Sequence, residues 1–150
     1  MTLAPRFLTV LLLGSVAACG GPRVPGQPTP ASPEATVGQF MAAVNADDLH
    51  HMALLFGDER GPSTVIMKNA AHRDSIMAVL QHVLVADSIH VTGTAGVPGH
   101  PAWRLVHVDV TQGSRETSVP FTLVPWQGGW LVWNVGILPL MPGGASRPTP

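Results

Sequence analysis

In residues 103–111, valine occupies every second position from 106 to 110 and polar residues lie between: Trp103-Arg104-Leu105-Val106-His107-Val108-Asp109-Val110-Thr111. Successive side chains of a β-strand point to opposite faces of its sheet, so this period of two predicts a strand. One face carries Arg104, Val106, Val108 and Val110, and the other carries Trp103, Leu105, His107 and Asp109. The stretch therefore predicts a sheet with two unlike faces.

Three further β-rich runs are predicted around this strand, at residues 89–92, 117–124 and 130–137. Gln112-Gly113-Ser114 and Gln127-Gly128-Gly129 have the length and composition of hairpin connections. The last three runs should therefore form an antiparallel meander. Pro120 has no N–H to donate to a ladder, which favours an edge position or a bulge in its strand.

Helices are predicted before the sheet. Ser32-Pro33-Glu34 has the cap, the first-position proline and the acid of a helix start, and this helix should end near Asn45-Ala46. Asp47 or Asp48 should cap a second helix through Phe56, and a third should run from about Ala70 to Leu84. Between them, 57–62 is expected to be a loop and 64–67 a short strand. Helices followed by an antiparallel sheet predict an α+β domain whose helices cover one sheet face.

The chain begins with the pattern of a secretory signal. Arg6 supplies a positive charge, an apolar run follows from Phe7, and small residues precede Cys19, the only cysteine. The apolar run to Ala18 has about 12 residues, against the roughly 20 that a bilayer span requires. We expect residues 1–18 to be removed, so that the exported chain begins at Cys19.

Val16-Ala17-Ala18-Cys19 resembles the lipobox of bacterial lipoproteins, in which cleavage leaves an N-terminal cysteine that carries lipid chains. This resemblance implies a location in the cell envelope, on either the inner or the outer membrane. A linker rich in Pro and Gly is expected at 19–31, a folded domain at 32–140 and a disordered tail at 141–150. With no second cysteine, the domain must depend on a packed core rather than on a disulfide.

The charge of the chain excludes one class of partner. The formal net charge is −1, Lys68 is the single lysine, and the arginines are scattered singly along the sequence. Nucleic-acid-binding domains present a basic stripe or patch, which is absent here. We therefore expect no nucleic acid as partner.

The element order resembles the nuclear-transport-factor-2-like (SnoaL-like) superfamily, on residues 34–40, 45–49 and 128–132. The resemblance implies helices packed on a curved, cone-like antiparallel sheet, a pocket in many members, and frequent homodimers. Residues 57–62 depart from the early hairpin usual in that superfamily. Its isomerase and cyclase members use pocket acids and often a tyrosine, and this chain has no tyrosine.

His107 and Asp109 are the candidate catalytic residues, because a histidine and a carboxylate in a partly apolar cavity can exchange protons. With Trp103 and Leu105 they also form the candidate ligand or interface surface. The stretch Asp47-Asp48-Leu49-His50-His51 has poor spacing for a metal, so we expect no metal and no cofactor. Large apolar side chains that could contact a partner are abundant, whereas reactive side chains that could meet in one site are few. This favours a non-catalytic domain that binds a small apolar ligand or a protein. A pocket enzyme using His107 and Asp109 is the alternative.

Cys19→Ser should abolish incorporation of radiolabelled palmitate and leave the product unprocessed or released, because it removes the only thiol that can carry a lipid. Ser15→Ala, outside the lipobox, should be labelled like the wild type. Undiminished labelling of Cys19→Ser would contradict lipid attachment at this residue.

Overall fold

The computed structural model of this protein describes residues 30–143. The expected signal at 1–18, the lipidation site at Cys19 and most of the expected linker lie outside the described residues. So does the expected tail from residue 144 onward.

The helices come first along the chain, as the sequence predicts. They are α1 Pro33–Asn45, α2 Leu49–Leu55, the single-turn α3 Ser63–Ile66 and α4 Ala70–Leu84. The first N–H groups of a helix have no partner within it, so a polar side chain at the start stabilises it. Ser32 accepts a hydrogen bond from the Ala35 N–H at 3.1 Å. Asp48 and Asn69 cap α2 and α4 in the same way.

Two expectations between α2 and α4 were wrong. Residues 57–62 are not an irregular loop but a small antiparallel hairpin, made of β1 Gly57–Asp58 and β2 Gly61–Pro62. The strand expected at 64–67 is replaced by α3. The buried Ser63 hydroxyl donates to the Ala53 carbonyl at 2.7 Å, which fixes this turn against α2. Four residues carry too little periodicity to separate helix from strand, so such tertiary contacts decide.

The second half of the chain is a four-stranded antiparallel sheet in the order β3-β4-β5-β6. Its strands are β3 Ser88–Val97, β4 His100–Gln112, β5 Arg115–Trp126 and β6 Gly129–Val135. The meander of the last three strands and its two hairpin connections are confirmed. The first run is longer than predicted and pairs with β4, which completes the sheet. The α+β class with helices before an antiparallel sheet is therefore confirmed.

Pro120 lies in β5, an internal strand, so the edge position was wrong. The irregularity of β5 falls two residues later, between Thr122 and Leu123. The Pro120 carbonyl accepts a hydrogen bond from Gly136 N at 2.8 Å, just beyond the end of β6 at Val135. The N and O atoms of a strand residue face the same neighbouring strand. The Pro120 nitrogen, which has no hydrogen, therefore faces Gly136 beyond the end of β6 and not β4. The β4–β5 ladder therefore loses no hydrogen bond.

The helices cover one face of the sheet, which we call the inner face. Its fully buried side chains include Val106, Val108, Val110, Val119, Phe121, Leu123 and Val132. The Phe40 ring of α1 meets the Phe121 ring edge-on, with 6.3 Å between the centroids. Burial of each such side chain contributes about 1.5–3 kcal/mol. This inner face is the core of the domain.

Polar bonds fix the orientation of α1 along the sheet. Near its start, Glu34 accepts a short hydrogen bond from the Thr94 hydroxyl of β3. This bond holds the pKa of Glu34 below its usual value. At its end, the Asn45 side chain bonds both the N–H and the carbonyl of Ala86, just before β3. The start of α1 therefore lies beside the far half of β3, and its end beside the beginning of that strand.

Gly136→Ala should destabilise the domain by about 1–3 kcal/mol, the usual cost of overpacking. A Cβ at Gly136 would lie 2.6 Å from Pro120 Cγ, a rigid ring atom. Gly38→Ala is the matched control: its Cβ meets nothing within 4 Å inside α1, so it should stabilise by about 0.4–1 kcal/mol. Chemical denaturation of both variants measures these changes. Equal stabilities would contradict the close approach of Gly136 to Pro120.

Candidate functional site

The face of the sheet turned away from the helices, the outer face, carries the four residues chosen from the sequence. Trp103, Leu105, His107 and Asp109 alternate along β4 with the buried valines and are all half-buried. Their neighbours across the strands include His90, Ser118, Pro120 and Thr122. The structure thus brings the candidate residues into one row, on a surface that the helices do not cover.

His107 and Asp109 share this row without contacting each other through polar atoms. In residues 30–143, neither side chain takes part in a hydrogen bond or an ion pair. Asp109 lies opposite His90 of β3 and Ser118 of β5, and His107 lies opposite Pro120. A histidine and a carboxylate that work as a proton-transfer pair are normally oriented by a hydrogen bond. The arrangement supplies two separate polar groups rather than such a pair.

An aromatic cluster lies at one end of the outer face. Trp103 stacks on His100, with ring centroids 4.1 Å apart and an interplanar angle of 24°. The Trp133 ring lies 4.9 Å from the Trp103 ring at 52°. These separations are those of favourable aromatic pairs. Trp133 is still 44% exposed, so the cluster presents a large apolar surface to solvent.

The β1–β2 hairpin holds this cluster in place. The Trp103 indole N–H donates to the Glu59 carboxylate at 2.7 Å, and Glu59 lies in the turn of the hairpin. The turn is braced by Arg60, which binds Asp58 at 2.6 Å and lowers the pKa of Asp58 through this hydrogen bond. Gly57 permits the tight pairing, because a Cβ there would lie 2.2 Å from the Gly61 carbonyl oxygen.

The same hairpin covers the neighbouring part of the outer face. Val124 and Leu131 pair across β5 and β6 and are fully buried, although they alternate with inner-face residues. Gly61 lies against the Trp126 indole, since a Cβ there would be 3.6 Å from Nε1. The outer face therefore has a covered end under the hairpin and an uncovered stretch around Leu105.

Sequence reasoning missed Glu59 and His100. Glu59 stands in the segment Asp58-Glu59-Arg60-Gly61, whose composition indicates a turn, but nothing local shows that the turn reaches a tryptophan 44 residues away. His100 follows Pro98-Gly99, which indicates the hairpin turn before β4. Its stacking on Trp103 depends on the backbone path between them.

Among the described residues, two open cavities have volumes of about 340 and 360 Å³. The first is lined by the β5–β6 turn from Pro125 to Trp130. The second is lined by His82, Val83 and residues 140–142. Neither borders Leu105, His107 or Asp109. The row of candidate residues is thus placed on an open surface and not on the wall of either cavity.

In the acidic and histidine-rich segment, Asp47 and Asp48 precede α2 and His50 and His51 lie in its first turn, with Asp48 as the cap. Asp48 Oδ1 accepts a hydrogen bond from the His51 N–H at 2.9 Å. Asp47 adopts a left-handed backbone conformation, with φ of 54°, between the two helices. Over the described part of the chain, no three side chains of His, Cys, Asp or Glu are grouped so that they could hold a metal ion.

Comparison with protein-family models, with curated proteins and with solved structures finds no match to this chain. Between residues 30 and 143, no helix is both long enough and apolar enough to cross a membrane.

Glu59→Ala should loosen the aromatic cluster and lower stability by up to about 1 kcal/mol, because it removes the acceptor of the Trp103 N–H. Acrylamide quenching of tryptophan emission should increase. Glu59→Gln keeps an oxygen acceptor and should retain most of the wild-type protection. Glu116→Ala, at an exposed acid of β5, is the control. Equal quenching in Glu59→Ala and Glu116→Ala would contradict the role of Glu59.

Proposed function

We propose that this protein is an exported bacterial lipoprotein, anchored by lipid on Cys19, whose single domain binds a partner through the outer face and is not an enzyme. Support for the anchor comes from the lipobox-like residues 16–19. Support for a nuclear-transport-factor-2-like architecture comes from the element order and from the β1–β2 hairpin, because the resemblance implies an early hairpin at this point of the chain.

The observation that carries the binding proposal is the uncovered apolar surface around Leu105, flanked by Trp103 and the 44%-exposed Trp133. Exposed patches that centre on tryptophan and are rimmed by polar groups are typical of interaction sites. Here His107 and Asp109 supply the polar rim. The open shape favours a protein partner over a small enclosed ligand, because small ligands usually bury most of their surface in a concave site.

A second copy of the chain is the first partner to test, because a sheet face can pair with itself about a two-fold axis. The rival pocket enzyme would need His107 and Asp109 beside a cavity and in mutual contact. Neither condition is supported by the geometry of the outer face.

Leu105→Asp should abolish association through this surface, because it places an unpaired charge in the contact. Sedimentation equilibrium of the full chain in density-matched detergent should show dimers for the wild type and monomers for this variant. Val79→Asp is the control, because Val79 is a 59%-exposed apolar residue of α4 on the other side of the domain. It should leave the dimer intact.

If the wild type is monomeric, a small apolar ligand is the next candidate. An apolar dye that binds the outer face should then quench the emission of Trp103. A monomer whose emission is unchanged by the dye would contradict the binding proposal.

A further inference from the structure

β3 and β4 form a long hairpin. Its far part, residues 92–102, is here called the distal hairpin. Apart from the half-buried Val97, all of its residues are exposed. The sequence from Ser88 to Trp103 contains no Asp, Glu, Lys or Arg. Exposed protein surface is usually rich in charged side chains. An exposed hairpin without them is suited to an environment other than bulk water.

The tryptophans gather at the same end of the sheet. Trp103 directly follows the distal hairpin, Trp126 ends β5, and Trp130 and Trp133 lie in β6. In an antiparallel meander the start of β4, the end of β5 and the start of β6 meet at one end. Arg104, the first charged residue after the distal hairpin, is half-buried. Its guanidinium donates to the Pro101 and Trp103 carbonyls and lies 5.8 Å from the Trp130 ring.

The chain also enters the domain at this end. The hydrogen bond between Glu34 and Thr94 places the start of α1 beside the distal hairpin. Cys19 precedes Pro30, the first described residue, by 11 positions. A chain of that length spans at most about 40 Å. A lipid on Cys19 would therefore keep this end of the domain close to the bilayer.

We propose that the distal hairpin, at the tryptophan-rich end of the sheet, contacts the headgroup region of the membrane in which the Cys19 lipid is anchored. This inference rests on the proposed lipid anchoring. Tryptophan favours the membrane–water interface because its ring is apolar and its N–H is polar. The short tether gives the hairpin a high effective concentration at the surface, so a weak contact suffices.

The contact is confined to the interfacial layer. β3 is an edge strand, and its outward N–H and C=O groups need water or headgroup partners that the hydrocarbon layer does not supply. The distal hairpin contains no Asp, Glu, Lys or Arg, and the carboxylates bonded to it and to Trp103 belong to Glu34 and Glu59. Anionic lipid repels carboxylates, so added salt should not weaken the contact, in contrast to the attraction of basic segments to anionic lipids.

The test places a fluorescent reporter at each end of β4. Ala102→Cys introduces an exposed thiol at the membrane-facing end of this strand, and Ser114→Cys introduces one in the turn that follows its opposite end. Each full-length lipidated variant is labelled with an environment-sensitive nitrobenzoxadiazole maleimide and reconstituted in phosphatidylethanolamine–phosphatidylglycerol vesicles. The Cys19 thiol does not react, because its sulfur carries the lipid. Vesicles that contain a phospholipid with a spin label on its headgroup provide the quenching measurement, because the proposed contact is confined to the headgroup layer.

The label at Ala102 should emit at shorter wavelength and be quenched by the headgroup-labelled lipid, at low and at high salt, whereas the label at Ser114 should show neither effect. Equal emission from the two labels on a chain that remains bound to vesicles would overturn the hairpin contact and leave the anchor standing. A wavelength shift at Ala102 without lipid quenching would indicate contact between protein copies and would also overturn it. A chain that does not stay on the vesicles would overturn the anchor and this inference together.

Discussion

The packing of Phe40 against the sheet is the interaction on which the rest of the domain depends. Its ring lies edge-on to Phe121 of β5 and 6.4 Å from the ring of Phe56, at the end of α2. One fully buried side chain thus joins α1, α2 and the sheet. Phe56 also forms a parallel bridge with Val132 of β6, so the chain leaving α2 is fixed to the sheet edge. From that point the β1–β2 hairpin reaches the outer face.

This connection explains why one face of the sheet is covered along its length and the other only at one end. The helices exclude water from the inner face, where the valines of β4 are buried. On the outer face only the end near Trp103 is covered, because the small hairpin is too short to reach farther. The stretch around Leu105 therefore keeps half-buried apolar and polar side chains side by side. Such a mixed, open surface is suited to association rather than to proton-transfer chemistry, which requires oriented and water-excluded groups.

Much of the fold could be predicted from short-range patterns. The alternation in β4, the hairpin connections and the capping residue Ser32 each depend on a few adjacent residues, and each was confirmed. The failures at 57–67 have a physical cause: two-residue strands and a single helical turn have no stable local preference. Their conformations depend on contacts such as that of Ser63 with Ala53. The position of Pro120 in an internal strand could not be predicted either, because it depends on where β6 ends.

The sequence by itself determined the order of helices and strands and the residues that share each face of β4, because backbone periodicity is a local property. It also determined the lipobox-like pattern at Cys19, which is read as a linear motif. Only the tertiary structure decided that Glu59 binds Trp103, that His107 and Asp109 stay apart, and that the start of α1 lies beside the distal hairpin. These contacts join residues far apart in sequence, and chain packing rather than local preference brings such residues together.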